Sequence, residues 1–295
     1  MSMGVWKKES AWSHAFDVFN YVLLSLIALI TVIPFVYVVI ASFTPPEILL
    51  RERFILVPKG FSLEAYSFVF RSKAVLRSLQ VSGGITVVGT IFNILMTVLF
   101  AFPLAHKQLH GRKFLMLMVT FTLMFNGGTV PTYMVVRSLG LINSYASLIL
   151  PMCISTFNLI IFRNFFAGLP AELEESGKID GAGYPRILAQ IILPLSMPLI
   201  ATFIIMNGVG YWNSWFNAVL YMNDPAKWPV QVYLRQIISM ANGGGSSEML
   251  DSNIVIPQES VRMCTIIVAT LPIMIIYPFL QKYFTKGMLL GSVKG

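Results

Sequence analysis

Six stretches of this chain, near 19–43, 80–105, 114–136, 145–162, 195–221 and 263–280, run without a single Asp, Glu, Lys or Arg. At 1.5 Å per residue, about twenty helical residues cross a hydrocarbon core of about 30 Å. The pattern therefore predicts an all-α integral membrane protein with six transmembrane helices. A water-facing fold is excluded by the same residues. Charged side chains make up 12% of the 295 residues, about half the share of a soluble domain, and too little polar surface remains to cover one. The net charge of +8 does not mark a nucleic-acid binder, because the 21 Lys and Arg fall between the apolar runs and form no long basic stripe. Cys153 and Cys264 both sit inside apolar runs. That leaves no disulfide framework, zinc site or CxxC pair.

Prolines 34, 103, 131, 151, 198 and 272 interrupt the spans. Each removes a backbone donor, so kinked helices are expected. Asn126-Gly127-Gly128 predicts a bend or unwinding in the third span. Residues 1–18 hold Trp6, Trp12 and Phe16 among charged neighbours, a pattern that suits a short interfacial helix or a disordered tail equally. No cleavable signal peptide is expected there. A six-span transmembrane domain of 19–281 follows, with outer loops at 44–79 and 222–262 and a tail at 282–295. Lys and Arg counts on the two sides are almost equal, 11 against 10. Short segments weigh more in the positive-inside rule. Lys107, Arg112 and Lys113 in one short loop, and Lys282, Lys286 and Lys294 in the tail, have no acid beside them and put both termini in the cytoplasm.

One cytoplasmic loop, 168–194, stands apart: GLPAELEESGKIDGAGYPRILAQIILP. Pro170 suits a first helical turn, with Glu172, Glu174 and Glu175 at the positive end of that helix's dipole. Asp180-Gly181 and Gly183 break the helix, and Pro185 starts a second one running into the fifth span. Gly177 costs about 1 kcal/mol relative to Ala in a helix, which points to close approach by another surface. This segment resembles the EAA motif of ABC importer permeases. Glu175, Ser176 and Gly177 take the first three places, Gly181 the fourth, and Ile191, Leu193 and Pro194 close the pattern. The two alanines of the motif are here Ser and Gly.

The resemblance extends over nearly the whole chain, to the second membrane subunit of carbohydrate-uptake importers of the maltose-permease-like group. Pro45-Pro46-Glu47, the run Gly60 to Tyr66, Trp212-Asn213 and the ending Gly287 to Gly295 support it. Phe125-Asn126-Gly127-Gly128 with Pro131-Thr132-Tyr133 is similar to the branch that handles complex, uronate-containing oligosaccharides such as alginate fragments. The resemblance implies a type I ABC importer fold in a bacterial inner membrane. It also implies a second, non-identical permease, an ATPase dimer carrying ATP and Mg²⁺, and an extracytoplasmic sugar-binding protein. The loop residues Glu174, Glu175, Ser176, Gly177, Asp180, Gly181 and Arg186 would couple to the ATPase. This chain has no GxxxxGK[ST] loop and no cofactor of its own is expected.

Sugar recognition needs aromatic faces with amide or hydroxyl partners. The fifth span supplies Asn207, Tyr211, Trp212, Asn213 and Asn217 as substrate-path candidates. On a continuous helix, 207 and 211 share one face, and 213 and 217 another. Two readings stay open for these asparagines, as for Asn93 and Asn158: pore lining, or interhelical glue worth about 0.6–2 kcal/mol each. Gly243 to Ser247 make the second long outer loop flexible enough to reach a binding protein. The rival readings are a permease for a non-sugar solute and a secondary transporter. The latter usually carries ionisable groups inside its spans, and these cores have none.

Overall fold

The computed structural model describes residues 11–52, 55–241 and 258–292. Every regular element among them is helical. In chain order these are α1 (Ala11–Phe43), α2 (Pro46–Arg51), α3 (Glu64–Arg71), α4 (Lys73–Ala105), α5 (Arg112–Met124), α6 (Thr129–Ser138), α7 (Ala146–Ile149) and α8 (Thr156–Ala167). Then follow α9 (Ala171–Ile179), α10 (Tyr184–Ile187), α11 (Leu193–Leu195), α12 (Met197–Trp212), α13 (Phe216–Tyr221), α14 (Val230–Ala241) and α15 (Gln258–Ser292). A π-helical turn, Leu188–Ile192, joins α10 to α11.

Among the described residues, three helical stretches are long and apolar enough to cross a membrane: Trp12–Phe43, Lys73–Ala105 and Glu259–Ile276. Three bent pairs complete the set: α5 with α6 at 119°, the Ala146–Met152 stretch with α8 at 50°, and Tyr184–Leu195 with α12 at 80°. Counting each pair as one span gives six. The expected break at Asn126-Gly127-Gly128 is present. Asn126 Oδ1 accepts from the Gly128 N–H at 2.9 Å, and Gly128 sits at φ +88°. Residues 11–17 continue into α1 without interruption, while the rest of the expected interfacial segment lies outside the described residues. The same holds for Gly243 to Ser247. Most of the expected tail is the end of α15.

The fifth run differs from its expectation. The second helix of the loop does not run straight into the span. It turns at Ser196, because Pro194 and Pro198 have no N–H to give to the carbonyls four residues back. Ser196 sits at the corner, its Oγ donating to the Ile192 carbonyl at 2.6 Å. A second interruption at 213–215 separates α12 from α13. Asn213 and Asn217 therefore do not share a continuous helical face.

The chain forms two compact units. One comprises 1–71 and 241–268, the other 72–240 and 269–295. In the first, Ala41, Leu49, Ile55 and Met263 form a small core. Phe43 stacks on Tyr66 at 4.8 Å, and the Tyr66 hydroxyl meets Ser42 Oγ at 2.9 Å. Burial raises the Tyr66 phenol above its ordinary pKa, and the Ser42 bond offsets part of that rise. None of the apolar window of α1 is buried, as suits a helix facing lipid. The second unit is built on α4, which packs against both α8 and α12. Its main core joins Val98, Phe102, Phe162, Phe166, Ile187 and Phe203.

Candidate coupling loop and translocation path

The loop between α8 and α12 folds back on itself. α9 starts after Pro170, which stands at the N-cap rather than inside the first turn, and Glu172 and Glu174 occupy that turn. The helix ends in a Schellman arrangement: Ala182 N–H donates to the Gly177 carbonyl at 2.9 Å, and Gly181 N–H to the Lys178 carbonyl at 3.0 Å. Gly181 holds the left-handed conformation this cap needs, φ +75°. The break expected at Asp180-Gly181 is this turn.

Gly177 is buried, and the surface approaching it belongs to the same chain. A Cβ there would lie 3.0 Å from Ile191 Cδ1 and 3.1 Å from Ile187 Cγ1. The Gly therefore lets α9 close on α10 and the π-turn. Glu174 also turns inward, its carboxylate meeting His106 Nε2 at 2.8 and 3.0 Å. His106 Nδ1 meets the Phe102 carbonyl at 2.9 Å, so both ring nitrogens face acceptor oxygens. Lys178 completes the cluster, 3.8 Å from Glu174 and 4.9 Å above the Tyr184 ring. Beneath it, Arg112 and Arg163 donate to the Leu104 carbonyl at 2.9 and 3.3 Å. These guanidiniums satisfy an orphan carbonyl at the negative end of α4.

Of the seven loop residues singled out in the sequence, Glu175, Ser176, Asp180 and Gly181 are exposed on α9 and its cap. Glu174 and Gly177 hold the loop in place from below. Arg186 lies beyond the cap, donating to Gln190 Oε1 at 2.9 Å. Two further residues were not foreseen. Ile179 is 86% exposed at the tip of α9, and His106 anchors the loop to α4. A lone apolar residue before Asp-Gly, and a histidine ending an apolar run, were the available signals. Removing either His106 or Glu174 to Ala is expected to lower the heat-unfolding midpoint of the purified protein. The double variant should be less damaged than the sum, with a coupling of about 0.5–3 kcal/mol. Strict additivity would mean the contact is not made.

In the middle of the second unit the asparagines meet one another. Asn158 Nδ2 donates to Asn207 Oδ1 at 3.0 Å, Asn207 Nδ2 to Asn93 Oδ1 at 2.8 Å, and Asn93 Nδ2 to the Met152 carbonyl at 2.7 Å. The Tyr211 hydroxyl reaches the same carbonyl at 3.2 Å. Met152 precedes the break before α8, where backbone carbonyls lose their helical donors. Side chains of α4 and α12 replace those donors, as an apolar environment demands. Asn207 and Tyr211 thus serve as interhelical links in this conformation. Trp212 is buried, its indole N–H donating to the Ala269 carbonyl at 2.9 Å, and Asn217 Nδ2 lies 3.5 Å from Met152 Sδ. Asn213 alone of the five candidates is exposed, past the end of α12. A cavity of about 670 Å³ beside Thr90, Val98, Ile200, Gly208 and Pro272 is almost wholly apolar, with the hydroxyls of Thr86 and Thr90 among its few polar groups.

Comparison with known proteins agrees with this architecture. The model of a family described as "Binding-protein-dependent transport system inner membrane component" matches residues 2–290. The chain is 48% identical over 285 residues to the polygalacturonan/rhamnogalacturonan transport system permease protein YtcP of Bacillus subtilis (strain 168), covering 96% of this chain and 99% of that one. It is 28% identical over 279 residues to the arabinooligosaccharides transport system permease protein AraQ of the same organism, covering 92% and 93%. A crystal structure of a bacterial ABC transporter involved in the import of the acidic polysaccharide alginate matches with a TM-score of 0.88 at 28% identity, over 94% of this chain and 99% of the other. The chain belongs to the family of inner membrane components of binding-protein-dependent transport systems.

Proposed function

We propose that this chain is one of two similar, non-identical permease subunits of an ATP-driven importer that moves oligosaccharides, uronate-containing ones among them, from a binding protein into the bacterial cytoplasm. The observation that carries this reading is the two-sided construction of α9. Its inner side is locked by Gly177, Glu174 and His106, while its outer side presents Glu175, Ser176, Asp180 and an 86% exposed Ile179. A rigid loop with an exposed apolar knob suits a groove on a partner ATPase, where ATP and Mg²⁺ would be bound. Nucleotide-driven closure of the ATPase pair would draw such loops together and expose the path to the outer side. The basic turn around Lys107, Arg112 and Lys113 lies beside this loop in sequence logic and in the fold, which supports a cytoplasmic placement for that end and, with six spans, for both termini. Oligosaccharide uptake, and its acidic variety, is supported by the names of the matched permease and of the alginate transporter.

The test uses the chain assembled with its second permease and ATPases in liposomes, with the cognate binding protein outside. ATP-dependent uptake of an oligosaccharide is expected, with hydrolysis rising when loaded binding protein is added. Uptake by the chain alone, or hydrolysis indifferent to loaded binding protein, would overturn the reading.

A further inference from the structure

The interruption at 213–215 is met by one face of α14. Val230, Val232, Leu234 and Ile237 of that helix are buried. Gln231 and Arg235, one turn apart, lie on another face, and both reach the interruption. Gln231 Nε2 donates to Asn213 Oδ1 at 3.4 Å. The Arg235 guanidinium carbon lies over the Trp215 ring, 3.5 Å from its centroid. Asn213 and Arg235 are exposed. Phe216 is 50% exposed and stands edge-on to Trp215 at 5.6 Å. Among the described residues no carboxylate pairs with Arg235.

A guanidinium stacked on an indole is fixed in orientation, while its N–H edge stays open in the plane. That edge matches a carboxylate in bidentate fashion. Beside it the Asn213 and Gln231 amides keep a free donor and a free acceptor, the pair a sugar hydroxyl uses. The exposed Phe216 ring offers an apolar face to the C–H side of a pyranose. We infer that Asn213, Trp215, Phe216, Gln231 and Arg235 form a subsite for a carboxylated sugar unit, in which Arg235 takes the carboxylate and the two amides take hydroxyls. This assignment rests on the importer reading above and adds the residues that distinguish an acidic sugar from a neutral one. Trp215 acts on the substrate through Arg235, as a positioning residue.

The test compares wild type, Arg235→Gln, Arg235→Lys and Trp215→Leu in the complete importer with its binding protein, using trigalacturonate as probe. Uptake and ATP hydrolysis are measured on the same vesicles. Losing a charge-assisted bidentate bond is expected to lower uptake by Arg235→Gln about tenfold or more. Arg235→Lys and Trp215→Leu should fall between, since each keeps the charge but loses the fixed fork. Hydrolysis stimulated by loaded binding protein should stay within about twofold of wild type in all three, as no coupling contact has changed. Unchanged uptake in Arg235→Gln overturns the subsite. So does hydrolysis that falls in step with uptake, which would make Arg235 a docking or folding residue. A wild-type importer that carries a neutral oligosaccharide but not trigalacturonate also sinks the subsite and leaves the importer reading standing. A wild-type assembly that carries no oligosaccharide sinks the importer reading itself.

Discussion

Gly89→Val is expected to cost this protein most of its folded yield, and Gly89→Ala a clear part of its heat stability. A Cβ at position 89 would lie 2.7, 2.8 and 2.9 Å from three ring atoms of Tyr211. Those are rigid aromatic atoms, so the ring or the helix has to move. Tyr211 is 4% exposed and its hydroxyl is bound to the Met152 carbonyl, so the ring has no free direction. Overpacking by one methyl typically costs about 1–3 kcal/mol, and valine adds two further carbons at the same spot. Shifting the ring also strips one of the two side-chain donors from Met152. Yield and melting of a fluorescently tagged chain in detergent would show the effect. Tyr211→Ala, which removes the ring, should partly rescue Gly89→Ala. A Gly89→Val protein as abundant and as heat-stable as wild type would refute the close packing of α4 on α12.

The proposed coupling loop gives the second large effect. Ile179→Asp should leave chain abundance near normal, since the side chain is 86% exposed. Binding-protein-stimulated hydrolysis and uptake should fall together by about tenfold or more, because a carboxylate would replace the apolar knob of the proposed ATPase contact. Gly181 tests the same surface through the backbone. No atom lies within 4 Å of a Cβ placed there, so space is not the constraint; the φ of +75° is. Gly181→Asn, a residue that tolerates the left-handed region, should retain most coupling. Gly181→Val should lose it, at a cost of about 1–2 kcal/mol or more in the cap. Equal transport by the Asn and Val variants would show that this turn does not set the orientation of α9.

What the sequence revealed follows the range over which its signals act. Uncharged runs located the spans, Asn126-Gly127-Gly128 located the break in the third, and Pro-Asp-Gly chemistry located both ends of α9. All of these act within a few residues. The helical-wheel pairing of 213 with 217 failed because it assumed one continuous helix, whereas 213–215 divides it; 207 and 211 do share a face of α12. Pro194 and Pro198 announce the corner at Ser196, but nothing in Asn213-Ser214-Trp215 announces this division. The partners of buried polar groups were not legible either. Asn207 is bonded to residues 114 and 49 positions away, and Glu174 to a histidine 68 positions away. A pairing of that kind is set by how helices cross, and each amide alone suits a pore as well as a joint.

α4 has a mechanical consequence. It is 33 residues long, or about 50 Å of helix, and four other parts of the second unit are fastened along it at three places. Near its start, Ser82 Oγ accepts from the Val230 N–H at 2.8 Å, which pins the first turn of α14. At mid-length Asn93 holds the broken fourth span and α12. Just past its end, His106 holds α9. A helix resists shortening along its axis far more than side-chain contacts resist sliding, so α4 has the build of a strut. A thrust on the proposed coupling loop would be delivered along its axis to the helix that carries Gln231 and Arg235, with the asparagine joint as the fulcrum between them.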